Sequence, residues 1–237
     1  MTLTKLFDGY AWKARLLVAA LVALPVLIVI PWTTNAIGFQ VNPWLLNPVV
    51  QAAVIILGSL VVRQLGVTAE VAMKKEWGDF PSTLIMRESN PQKSSVWKAR
   101  MRKLVKQKLG LTLCSPQEEV ENPGEADRRI RDAFDKIRTR IWGKKNLPTH
   151  TANTDYGFAR NLYGCRWIWI VLSLTCSVVV AVIAIEKHLQ LPWFEIVACI
   201  FMAMIIPWLE WKLVKPHTKH CAYRYAEYAW EHLEKMS

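Results

Sequence analysis

Asn153, Tyr156, Arg160 and Asn161 fall within a dozen residues, Asn153 to Gly164, that also hold Asp155, Gly157 and Tyr163. Amide, phenol and guanidinium groups at that density suit recognition of a small anion or a lipid headgroup. A guanidinium takes phosphate or carboxylate through two parallel hydrogen bonds, and glycine lets a backbone come close. The same residues, set just ahead of an apolar run, would also make the N-cap and aromatic belt of a membrane helix.

A second group is Lys98, Arg100, Arg102, Lys103, Lys106 and Lys108. They share a predicted helix that opens at Ser94 or Ser95 and closes at Gly110, with Trp97, Met101, Leu104 and Val105 as its apolar stripe. A basic amphipathic helix of this kind suits an anionic membrane surface, an acidic protein or a nucleic acid. Basic residues beside a membrane also answer simply to the negative inner leaflet.

Gln51 and Glu195 are polar residues placed inside or at the edge of apolar runs. Repeated around several copies they would line a path through a bilayer; in one copy they would pair between helices. His217, His220 and Cys221 stand close in sequence but lack a fourth ligand, so no metal is expected there. No phosphate-binding loop, nucleophile elbow, HExxH pair or calcium loop occurs, which argues against an enzyme and against a cofactor. Cysteine arithmetic adds nothing, since there is no CxxC pair and Cys114, Cys165, Cys176, Cys199 and Cys221 read as reduced structural thiols.

Four apolar runs must position these groups: Leu16–Trp32, Trp44–Val62, Trp167–Ile185 and Trp193–Leu213. Each is long enough for a hydrocarbon core of about 30 Å. Several of the 12 Trp sit at their ends, where amphipathic rings settle at headgroup level. Pro25 and Pro207 predict kinks, and the second run is predicted to continue as helix to about Glu76.

Between the second and third runs, residues 63–166 carry 21 Lys/Arg against 12 Asp/Glu, most of the chain's net charge of +11. The link 33–43 holds no charge, and 186–192 holds one Lys. Basic residues stay on the cytoplasmic side, so both termini and the insert are expected there. Within the insert, residues 83–86 are read as a short strand. Ser115-Pro116-Gln117-Glu118 has the capping-box form, and a helix is predicted from about Glu125 to Trp142 with Ile130, Phe134, Ile137 and Ile141 inside. The tail is read as a helix whose stripe Cys221, Tyr225, Tyr228 and His232 packs on the insert.

The expectation is therefore an all-α membrane protein. It has a cytosolic N-terminus (1–15), transmembrane helices 1 and 2 (16–63), a basic and mainly helical cytosolic domain (64–166), transmembrane helices 3 and 4 (167–213) and a cytosolic C-terminal helix (214–237). Such a layout suits an inner-membrane effector or sensor. Its basic domain would receive a signal and its oligomerised spans would alter permeability, as antiviral or toxin-like effectors would by architectural analogy alone. The rivals are a non-pore anchor recruiting an acidic soluble protein or a nucleic acid, and a small-solute transporter. The partners implied are anionic headgroups of the bilayer and further copies of the chain.

Overall fold

The computed structural model describes residues 9–38, 48–141 and 147–236, with the side chains of 48–52 outside the description. Every regular element among the described residues is helical. In chain order they are α1 (Gly9–Ala36), α2 (Pro48–Trp77), α3 (Pro81–Leu84), α4 (Ser95–Leu109), α5 (Pro116–Glu121), α6 (Pro123–Ile141), α7 (Pro148–Glu186) and α8 (Trp193–Lys235). Four stretches, Gly9–Ala36, Ala53–Leu84, Pro148–Glu186 and Trp193–Lys235, are long and apolar enough to cross a membrane. Three of them contain the runs Leu16–Trp32, Trp167–Ile185 and Trp193–Leu213, and Ala53–Leu84 takes in the second run from Ala53 onward, the rest of that run lying outside the stretch.

The chain divides into two compact units, residues 1–70 with 157–217, and residues 71–156 with 218–237. The first has two apolar clusters. Val18, Val22, Val62 and Cys165 form one, and Val29, Cys176, Val180, Ile196 and Cys199 form the other. Ser173 and Ser177 are buried, and each hydroxyl donates to the carbonyl four residues earlier, at 2.9 and 3.0 Å. Their spacing therefore serves packing within the chain. Large apolar side chains such as Val54, Leu57, Val178, Phe194 and Phe201 face outward, as lipid-facing positions require. Two π turns interrupt the spans, Trp12–Leu16 in α1 and Glu210–Val214 in α8. The second follows Pro207, which has no N–H to give the helical ladder.

The second unit is a helical globule around Trp230. This side chain is fully buried, and its indole N–H donates to the Ser82 carbonyl at 2.9 Å. Met101, Val105, Ile130, Phe134 and Ile137 pack about it, with Phe134 tilted against the indole at 5.7 Å between ring centroids. The local signals explain the helix ends. Ser94 accepts from the Trp97 N–H at 3.2 Å and Gly110 closes α4 at φ +69°. The reciprocal pair Ser115 N–H to Glu118 Oε2 and Glu118 N–H to Ser115 Oγ opens α5, at 2.7 and 3.3 Å.

Three expectations change. Residues 83–86 form no strand, because Pro81 starts a helical turn that buries Thr83, Ile85 and Met86. The tail buries Cys221, Ala222, Tyr225, Ala229, Trp230 and Leu233, whereas Tyr228 is exposed and His232 half-buried; small alanines rather than the aromatic row set the inner face. The stretch Asn153–Gly164 is not an N-cap but lies inside the 39-residue helix α7, which begins nineteen residues before Trp167.

Candidate functional site

Arg160 and Asn161 belong to the first unit and form a polar junction where three helices meet. Asn161 is fully buried, and its Nδ2 donates to the Ala14 carbonyl of α1 at 2.7 Å. Its Oδ1 accepts from Arg160 Nε and Nη2 at 3.3 and 3.2 Å, and Arg160 Nη1 pairs with Glu70 of α2. Glycine makes this approach possible. A Cβ on Gly66 would overlap the Asn161 amide, with Cγ only 2.8 Å away. One on Gly164 would lie 2.6 Å from the Leu65 carbonyl group, and one on Gly157 would lie 2.7 Å from Tyr10 Oη. Small residues at such places let backbones touch and let amides bridge helices where water is scarce. The groups expected to greet a ligand here spend their hydrogen bonds within the protein.

Asn153 and Tyr156 lie in the second unit. Asn153 is half-buried. Tyr156 is buried, edge-on to Phe80 at 5.6 Å between centroids and beside Cys221 and Ala222. The four residues thus fall into two separate packing roles on one helix.

The basic helix α4 also divides. Lys98 is 1% exposed, and its ammonium donates to the carbonyls of Asn90 and Glu88 at 2.6 and 3.2 Å. It is a clamp for the 88–90 turn, not a surface cation. Arg102 is mostly buried between Glu88 (2.5 Å) and Glu119 (3.5 Å). Both lie on the flank adjoining the apolar stripe, so helical position, not residue type, removes them from the surface. Arg100 is exposed and reaches Glu234 at 3.1 Å. Lys103 and Lys106 are exposed and Lys108 half-exposed, and none of the three forms an ion pair among the described residues. Arg140 of α6 donates to the Lys108 carbonyl at 3.1 Å, which brings it and the exposed Lys136, one turn earlier, to the end of α4.

The acids around this surface are largely taken. Asp127 holds Arg87, whose guanidinium pKa rises chiefly through that hydrogen bond. Glu125 holds Arg128 and Arg129 and is lowered, by the Arg129 hydrogen bond first. Glu227 holds Lys93, and Asp79 holds Lys74 and Arg131. The result is a face of unneutralised lysines at the C-terminal end of α4.

Glu195 stands half-exposed near the start of α8, and the Gln51 side chain lies outside the described residues. No three metal-ligating side chains converge among the described residues. The sequence reading missed Glu70, Gly66 and Trp230. A single glycine inside an apolar helix was the available signal for Gly66, since glycine costs about 1 kcal/mol in a helix interior and needs a reason to be there. Comparison with protein-family models, curated proteins and solved structures finds no match to this chain.

Proposed function

We propose that this is a multi-pass membrane effector or sensor whose second unit stands on the cytosolic side. There it takes an anionic partner on the Lys103, Lys106 and Lys108 face, and the spans carry the response as altered permeability. The observation that supports this reading most is the division of charge in the second unit. Most of its arginines pair with its acids, while these lysines have no acidic partner among the described residues. Such cations attract and orient an anion without fixing its shape.

A second reading is a non-pore anchor that recruits an acidic protein or a nucleic acid by the same face. It draws on the spans themselves, where Ser173 and Ser177 bond to their own helix and no polar row runs along a span among the described residues. Ion flux in proteoliposomes separates the two, with polyphosphate as the anionic probe and a Lys103→Glu/Lys106→Glu/Lys108→Glu variant as control. The first reading expects probe-dependent flux that the variant loses. Tight vesicles with the probe still bound leave the anchor. Equal probe binding by both proteins rejects the lysine face.

A further inference from the structure

The tail of α8 lays a row of carboxylates along the start of α4. Glu227, Glu231 and Glu234 follow one another at steps of four and three, which puts them on one side of their helix. Glu227 pairs with Lys93, Glu231 reaches the same ammonium at 3.6 Å, and Glu234 Oε1 lies 3.1 Å from Arg100 Nη2. Beyond Arg100 the cations continue at steps of three to Lys103 and Lys106. Both are exposed, and no acid among the described residues reaches either.

We infer that Glu234 is a built-in competitor for the anion-binding face. It occupies Arg100, which forms one row with Lys103 and Lys106, and an anionic partner that takes the whole row must displace it. The inference rests on the reading of the lysine face as an anion site and adds its regulation. Residues three apart on a helix are surface neighbours, so Arg100 adjoins Lys103 as Lys103 adjoins Lys106. From Arg100 to Lys106 the row covers roughly 9 Å along the axis at 1.5 Å per residue, which suits a chain of charges better than a single one. A guanidinium holds phosphate or carboxylate by two parallel hydrogen bonds, whereas lysines supply point charges. Arg100 is therefore the member of the row that can orient an anion, and it is the one already covered.

The Arg100–Glu234 pair is not what docks the tail. Trp230 and Leu233 are fully buried in the core of the second unit, and their burial outweighs an ion pair whose side chains are 62% and 32% exposed. Weakness suits a displaceable occupant. The anchored backbone keeps the Glu234 carboxylate beside Arg100 at high effective concentration, so it competes without binding tightly. Lys93, held by two acids and mostly buried, stays covered when Arg100 is released.

The test is binding of labelled polyphosphate to the purified full chain in detergent at one ionic strength, read by fluorescence anisotropy. Glu234→Gln should bind about two- to five-fold tighter than the unaltered chain, the worth of one exposed pair. Asp132→Asn removes an exposed acid of α6 that holds no cation among the described residues, and it should gain clearly less. In an Arg100→Gln background the gain from Glu234→Gln should vanish. A gain no larger than that of Asp132→Asn, or one that survives Arg100→Gln, would overturn the inference and leave the lysine face standing. No binding by the unaltered chain or by Glu234→Gln would reject the lysine face itself, and the inference with it.

Discussion

Filling Gly66 tests the three-helix junction most sharply. In Gly66→Ala the new methyl overlaps the Asn161 amide and stands 3.1 Å from Asn161 Cα. The amide cannot swing away freely, because it is fully buried and its Nδ2 is held by the Ala14 carbonyl at 2.7 Å. Overpacking of this sort costs about 1–3 kcal/mol. For a domain of this size that lowers the melting temperature by roughly 2–4 °C per kcal/mol. Asn161→Ala alone loses the hydrogen bond to Ala14 and those from Arg160, about 0.6–2 kcal/mol for amides between helices in lipid. The two changes should not add. Truncating Asn161 removes the atoms that the Gly66→Ala methyl would strike, leaving only the milder approach to Cα, so the double variant should recover about 1 kcal/mol or more of the summed loss. Melting followed by tryptophan fluorescence in one detergent gives the four corners of the cycle. Additive losses would show that Gly66 and Asn161 do not touch as described, and the junction would fall with them.

Other predictions concern the second unit. Trp230→Ala should cost about 3–5 kcal/mol by emptying the centre of its core, and Trp230→Phe clearly less, read as denaturant midpoints of the full chain. Ser115→Ala removes the N-cap of α5 and should cost about 1 kcal/mol in the same assay. Hydrogen bonds from Ser115 hold the exposed Glu118 below its usual value of 4.5, and the Arg129 and Arg128 pairs do the same for Glu125. A depressed folded value gives stability that is full above the unfolded value and lost as pH falls through the folded one. The unit should therefore weaken on acidification below about pH 4.5, and Glu118→Gln with Glu125→Gln should flatten part of that slope. An unchanged slope would deny these carboxylates their role.

Much of the fold was legible in the sequence because its signals are local. Apolar length marked the spans, Gly110 and the Ser115–Glu118 box marked helix ends, and period marked the inner faces of α4 and α6. What was not legible depended on partners distant in sequence. Asn153–Gly164 reads by residue type as an anion site or an N-cap, yet Gly66, Ala14 and Glu70 make its Gly, Asn and Arg fit a helix interior. Lys98 reads as a surface cation, but two carbonyls of a turn eight and ten residues away draw its ammonium inside. Trp230 looks like one more interfacial Trp until the pocket formed by α3, α4 and α6 is known.

The central claim, that the basic unit lies across the membrane from the α7–α8 turn, is tested most directly by accessibility labelling in cells. Lys106 is exposed, and His188 is exposed in the turn after α7 with a φ of +51°. Cysteines placed at these two positions would be challenged with a membrane-impermeant thiol reagent before and after permeabilisation. The account predicts labelling of His188→Cys in intact cells, and of Lys106→Cys only once the membrane is opened. Labelling of both positions under the same condition, or the reverse order, would contradict it.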